Sequence, residues 1–207
     1  MDITRYESPL LSSNMYLITE DGHAIVIDPY QNLKPSEDLI VDKIILTHEH
    51  YDHISGVNEW KAKTNAPVLC SKTCAKNIQS SRKNMARFFE VFCEMQTWMV
   101  IDKIPKADEN YACQADETFK DEMNFTWRGH EFHLFELPGH SLGSIGILLD
   151  KQYFFSGDSL MEGQEIELRF PGGSKEKWEK TGAPRLALLP EGIQVYPGHF
   201  KEFVYKK

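Results

Sequence analysis

Between Thr47 and His53 the chain reads Thr-His-Glu-His-Tyr-Asp-His, which places four groups able to ligate a metal, His48, His50, Asp52 and His53, within six residues. Such spacing does not serve a helix face, where neighbours lie three or four apart. A strand end opening into a loop can instead aim His48 and His50 one way and Asp52 and His53 another. The residues just before it, Ile44-Ile45-Leu46, are a continuous apolar run, the pattern of a strand buried on both faces. The chain must therefore build a buried sheet and deliver one of its strand ends to a ligand-bearing loop.

Three later segments repeat this design, a strand ending in a small residue followed by a ligand type: Pro138-Gly139-His140, Ser156-Gly157-Asp158 and Pro197-Gly198-His199. A glycine before the ligand lets the backbone turn tightly where the side chain must point inward. Together with the first cluster they supply seven ligands, five histidines and two aspartates. Imidazole and carboxylate together suit zinc, and also iron or manganese. The chain has eight histidines. His23, His130 and His133 lack ligand-type neighbours and read as structural or exposed. Asp28 closes the run Ile25-Val26-Ile27 beside the strand feeding His48. It either orients a ligating imidazole or forms an Asx-Pro turn with Pro29.

Length and charge bound the rest. A chain of 207 residues with 41% hydrophobic residues can bury one sizeable core, so residues 1–207 are expected to form a single domain. Lys and Arg number 23 against 31 Asp and Glu, a net charge of −8, which is poorly suited to gripping a phosphate backbone; a small-molecule substrate is expected and nucleic acid is not. No stretch approaches the roughly 18 apolar residues of a membrane span, and Met1 to Leu10 lacks a secretory pattern. A cytoplasmic protein with no membrane partner is expected. Cys70, Cys74, Cys93 and Cys113 contain no C-x-x-C pair and read as reduced thiols.

Strand patterns are expected at Asn14 to Thr19, His23 to Asp28, Lys43 to Thr47, Pro67 to Cys70, Met123 to Arg128, Glu131 to Leu137, Ser144 to Leu149, Gln152 to Ser156 and Ile193 to Tyr196. Helical patterns run from Ile54 to Lys63 and from Ser174, an N-cap, to about Leu189. A helical insert is expected at about 72–102. Within it, Met85, Phe88, Phe89, Phe92, Met95 and Met99 recur at helical spacing between Ser80 and Val100. That stripe reads as core packing, as a homodimer contact, or as a lid or apolar wall over a substrate pocket, since Met-rich surfaces adapt to varied ligands. Strand-rich blocks each accompanied by helices suggest an α/β (α+β) fold, a four-layer αββα sandwich.

H-x-H-x-D-H followed by His140, Asp158 and His199 resembles the metallo-β-lactamase-fold hydrolases, from about Asn14 to His199. The resemblance implies that His48, His50 and His140 hold one metal and Asp52, His53 and His199 another, with Asp158 bridging: a dinuclear site of two divalent ions, zinc first. It further implies a metal-activated hydroxide as nucleophile, with Asp52 orienting it as the catalytic residue. Ser156-Gly157-Asp158-Ser159-Leu160, Phe170-Pro171-Gly172-Gly173-Ser174 and the ending Leu189-Pro190-Glu191-Gly192 to Pro197-Gly198-His199 are most similar to the small glyoxalase II-like proteins, the hydroxyacylglutathione hydrolase group. A small thioester is then the expected substrate, because a thiolate leaves without protonation.

Where that group carries Arg-Thr-Asp, this chain has Glu167-Leu168-Arg169; Arg169, or Lys120, reads first as a solvated surface charge and second as a cation that binds an acidic part of the substrate. Its longer members continue into a helical region that helps bind glutathione, whereas this chain stops eight residues after His199. The same seven ligands would serve a lactonase or other ester hydrolase. A persulfide dioxygenase of this fold would use one iron, and a non-enzymatic metal-binding protein would keep the site without turnover.

Overall fold

In a computed structural model, residues 1–33, 36, 38–94 and 106–207 are described. Two six-stranded sheets make up the body. In the first, β1 (Asp2–Glu7), β2 (Asn14–Glu20), β3 (His23–Ile27), β4 (Ile40–Ile45), β5 (Val68–Ser71) and β6 (Glu117–Phe119) lie in chain order. The first three are antiparallel and β3 to β6 are parallel. The second contains β7 (Glu122–Trp127), β8 (His130–Glu136), β9 (Ile145–Leu149), β10 (Tyr153–Gly157), β11 (Gln194–Pro197) and β12 (Phe203–Val204), in the order β12-β11-β10-β9-β8-β7. All its pairs are antiparallel except β10 with β11.

The four layers follow from the two-residue period of the strands, which sends successive side chains to opposite faces. In β3, Ile25 and Ile27 face the second sheet and pack with Phe132, Leu134, Ile145, Ile147 and Phe155. Ala24 and Val26 face the other way, onto helices α1 (Tyr51–Ile54), α2 (Val57–Thr64) and α3 (Lys72–Asn77), where they meet Tyr51, Ile54, Val57, Trp60 and Cys74. The outer face of the second sheet carries Phe135, Phe154 and Val195. They are covered by Leu186 and Trp178, from a helical segment running through α5 (Lys175–Lys177), a π-helical turn at Trp178–Gly182 and α6 (Ala183–Leu186). Its start is capped as expected: the Ser174 hydroxyl accepts from the Lys177 amide. The αββα sandwich is thus built by three apolar seams.

Phe132 lies in the central seam, 1% exposed and stacked on Phe125 at 4.8 Å. Truncating it leaves a cavity that two sheets cannot close together. Phe132→Ala is expected to lower unfolding free energy by about 3–5 kcal/mol, read as a fall in denaturant midpoint; a change within experimental error would contradict this packing.

The Met/Phe stripe departs from expectation. Ser80 to Asn84 form turns rather than helix, Met85 has φ 68°, and helix begins as a 3-10 turn at Ala86–Phe88 before α4 (Phe89–Glu94). The cause is Asn84. Its amide donates to the carbonyls of Ile78 and Tyr111, and its oxygen accepts from the Ala86 amide, so the side chain competes with helical hydrogen bonding. Met95 and Met99 lie outside the described residues, as does most of the insert beyond α4. Met85 and Phe89 are buried, Phe92 packs edge-on against Phe170 at 4.7 Å, and Phe88 points outward. Among the described residues no helix is long and apolar enough to cross a membrane. The four cysteines are buried and free, and burial pushes the Cys93 and Cys113 thiols up to about 12.

Candidate metal centre

All seven predicted ligands converge on the carboxyl ends of strands. His48 follows β4, Asp158 follows β10, and His199 follows β11; His140 lies in the loop between β8 and β9. The two sheets are stitched together there: the Ile145 amide donates to the Thr47 carbonyl, and the Asn14 amide to that of Gly198. The second half of the cluster differs from the loop the spacing suggested. Tyr51–Ile54 is a helical turn with His50 at its N-cap, so Asp52 and His53 are aimed by a short helix.

Two groups of three side chains form, His48/His50/His140 and Asp52/His53/His199, each with its ligand atoms within 4.8 Å of one another. In the first, His140 Nε2 lies 3.0 Å from His50 Nδ1. In the second, His53 Nε2 lies 3.3 Å from both His199 Nε2 and Asp52 Oδ2. Asp158 stands between them, its Oδ2 3.5 Å from His140 Nε2 and 3.4 Å from His199 Nε2. His48 Nε2 and Asp158 Oδ1 are buried without a hydrogen-bond partner, an arrangement that costs free energy unless something else ligates them. Inward nitrogens packed this closely, with orphaned acceptors among them, fit divalent metal ions.

The outward nitrogens fix the tautomers. His140 Nδ1 donates to the Glu167 carbonyl and His199 Nδ1 to that of Leu11, both at 3.0 Å. His53 Nδ1 donates to Asp28 Oδ2 at 3.1 Å. His48 Nδ1 donates to Thr47 Oγ1 at 3.1 Å, and that hydroxyl donates in turn to Asp28 Oδ2. With Nδ1 tied up as a donor, Nε2 is the nitrogen that each of these imidazoles turns toward the site.

Asp28 therefore anchors one imidazole from each group. A third cluster, Asp28/His48/His53, also has its ligand atoms within 4.8 Å of one another, but both Asp28 oxygens are already engaged, Oδ1 by the Thr47 amide and Oδ2 by Thr47 and His53. Of the two readings of Asp28, the orienting one describes its contacts. Asp28→Asn replaces an acceptor with a donor facing His53, and metal affinity is expected to fall about 10- to 100-fold, measured by competition with a chromophoric chelator; unchanged affinity would contradict the anchoring role.

The electrostatics divide the site. Burial pushes the His48, His50 and His140 imidazoles down, His140 to about 4, so these three are neutral, the ligating form. Burial opposes charge at Asp52 and Asp158 too, yet the neighbouring His53 and His199 hold both carboxyls well below their ordinary range. Against the same cost of burial, Asp158 and Asp52 lift His199 to about 10, and Asp52 and Asp158 lift His53.

Glycine is required beside Asp158. Gly157 has φ +49°, and a Cβ there would sit 2.7 Å from Thr47 Oγ1; a Cβ on Gly198 would overlap Asp158 Oδ1. The other histidines are elsewhere, paired with Asp42, Asp150 and Glu122. Arg169 binds Glu167 with two nitrogens, its side chain 89% exposed. Neither it nor Lys120 lines the cavity over the cluster.

Sequence reasoning passed over several supports. The Ser13 hydroxyl donates to the Asp52 carbonyl at 2.9 Å. Glu49, buried inside the motif itself, accepts from Ser141 and Asn77, both at 2.7 Å, tying the His48 loop to the His140 loop. A charged residue between two ligands was the available signal for Glu49; Ser13 offered none.

Above the cluster opens a cavity of about 500 Å³, with His50, Asp52, His140, Asp158 and His199 at its floor and Met85, Phe89, Phe92 and Phe170 in its wall. Of the stripe's readings, the apolar wall and the core both apply, since Phe89 also belongs to the seam beneath α1.

A profile of the Metallo-beta-lactamase superfamily matches residues 8–199. The chain is 27% identical over 186 residues to a hydroxyacylglutathione hydrolase from Psychromonas ingrahamii, an alignment covering 87% of this chain and 58% of that protein. It is also 27% identical over 208 residues to a probable metallo-hydrolase from Streptococcus pyogenes serotype M6, covering 96% and 84%. Among solved structures, the BLEG-1 B3 metallo-beta-lactamase matches with a TM-score of 0.80 over 98% of this chain and 94% of that one, at 23% identity. That last likeness is one of fold.

Proposed function

We propose that this chain, which belongs to the metallo-beta-lactamase superfamily, is a dinuclear metal-dependent hydrolase that cleaves a small thioester or ester. The observation that carries this reading is the pair of three-residue ligand groups with Asp158 between them at the floor of an apolar-walled cavity. His48, His50 and His140 would hold one divalent ion and Asp52, His53 and His199 the other, with Asp158 shared; zinc is the first choice, and iron or manganese also suits these donors. Such a pair supplies a water of lowered pKa and polarises the carbonyl under attack.

The protein's own contribution is positional. Asp52, at the cavity floor, accepts a hydrogen bond from the attacking water and orients it. Asp28, Thr47 and the carbonyls of Leu11 and Glu167 hold protons on the outward nitrogens. Met85, Phe89, Phe92 and Phe170 exclude water and bed the acyl group. A thiolate leaves without a general acid, so a thioester suits a site with no such group assigned. The similarity to a hydroxyacylglutathione hydrolase supports the same choice, although the chain spans little more than half of that protein. The buried free thiols fit a reducing, cytoplasmic setting.

A panel of thioesters, lactones and β-lactams run on metal-loaded protein tests the reading. Highest kcat/KM on thioesters is expected. Preference for lactones would select the ester-hydrolase alternative, and one bound iron with oxygen uptake the dioxygenase. Full metal occupancy with no turnover of any substrate would leave a metal-binding protein.

A further inference from the structure

The cavity's charge carries information about what it admits. Beyond the floor, its lining combines the apolar wall of Met85, Phe89, Phe92 and Phe170 with Leu11 and Met161. The ionisable residues on its rim are Glu7, Glu165 and Glu167, and among the described residues lining it there is no lysine or arginine.

The two cations paired with rim carboxylates are each held by further partners or by both carboxylate oxygens. Arg169 is held by both oxygens of Glu167. Arg5 donates to Glu7, to the Asn14 side chain and to the Phe200 carbonyl, and pairs with Glu202 at 3.5 Å. Glu165 is exposed and has no ion pair among the described residues. A ligand entering this cavity thus meets, outside the metal floor, apolar surface, two carboxylates whose cations are already engaged and the Glu165 carboxylate, with no lysine or arginine among the described lining residues. A carboxylate placed there loses hydration and gains no cation, while an alkyl or aryl group gains the buried apolar area.

We infer that the portion of the substrate recognised outside the metal floor is apolar and free of negative charge, which sets this site apart from one built for a carrier with two carboxylates such as glutathione. The inference rests on the hydrolase reading for its chemistry and on the lining alone for its selectivity. An uncharged acyl chain or an uncharged thiol is the class of group that fits.

Two thioethers with no scissile bond read recognition apart from turnover: S-hexylglutathione and S-hexyl-N-acetylcysteamine, which share the alkyl chain and differ in the charged carrier. By calorimetry on metal-loaded protein the uncharged conjugate is expected to bind about tenfold more tightly. Glu165→Lys is expected to narrow the gap by strengthening S-hexylglutathione, an effect that shrinks as salt is added. Equal or tighter binding of S-hexylglutathione to the unaltered protein would overturn the inference, as would failure of both conjugates to bind. A clear preference for the uncharged conjugate combined with no hydrolysis of any ester or thioester would sustain it and overturn the hydrolase reading instead.

Discussion

Asp52→Ala is expected to cut kcat/KM by about a thousandfold or more while the protein stays folded. The carboxylate is asked to do three things at once. In the proposed mechanism it completes the ligand group with His53 and His199, whose Nε2 atoms lie 3.3 and 3.4 Å from it, balances their charge and orients the attacking water. No neighbour replaces it, because Asp158 is shared between the groups and Asp28 is saturated by Thr47 and His53. The fold has less at stake. The contact of residue 52 with Ser13 runs through its backbone carbonyl, which alanine keeps, and the seam below α1 is made by Tyr51 and Ile54. Circular dichroism and the unfolding midpoint should change little. Near-normal turnover by a folded variant would remove Asp52 from the mechanism.

Gly198→Ala adds one methyl group and is expected to lower turnover about a hundredfold, since misplacing a reacting group by an ångström costs on that order. The added Cβ would overlap Asp158 Oδ1 and lie 2.9 Å from both the Gly157 carbonyl carbon and His53 Cε1. Asp158 could swing away, but only by leaving the position between His140 and His199 from which it would serve both ligand groups. The backbone of Gly157 cannot yield readily, because it is hydrogen-bonded to Gly198 itself. One metal should be retained more tightly than the other, as the first histidine group does not touch Gly198. A variant with two tightly held metals and ordinary turnover would show that the close approach has no functional weight.

Much of this architecture is written locally. The apolar run Ile44-Ile45-Leu46 and the two-residue alternation of β3, β8 and β10 identify strands and their buried faces, and His140, Asp158 and His199 each follow a glycine at or just beyond a strand end. The seven clustered side chains were legible because each candidate ligand has to be a particular residue type. What escaped was held by contacts distant in sequence. The antiparallel edge strand β1 pairs with β2 through register rather than through an apolar pattern of its own. Asn84 redirects the start of the Met/Phe helix by bonding Ile78 and Tyr111, the latter 27 residues away, a partnership no spacing rule reveals. The roles of Leu11 and Glu167 are carried by backbone carbonyls, which any side chain could supply. For Arg169 the sequence left a surface charge and a cation for an acidic substrate both open, and its geometry with Glu167 shows it engaged at the surface.

A dinuclear hydrolase requires that the two ligand groups hold two ions. Elemental analysis of the protein saturated with zinc and freed of excess metal, with chain concentration from amino-acid analysis, should return two ions per chain. A saturating value of one, or none, would contradict it.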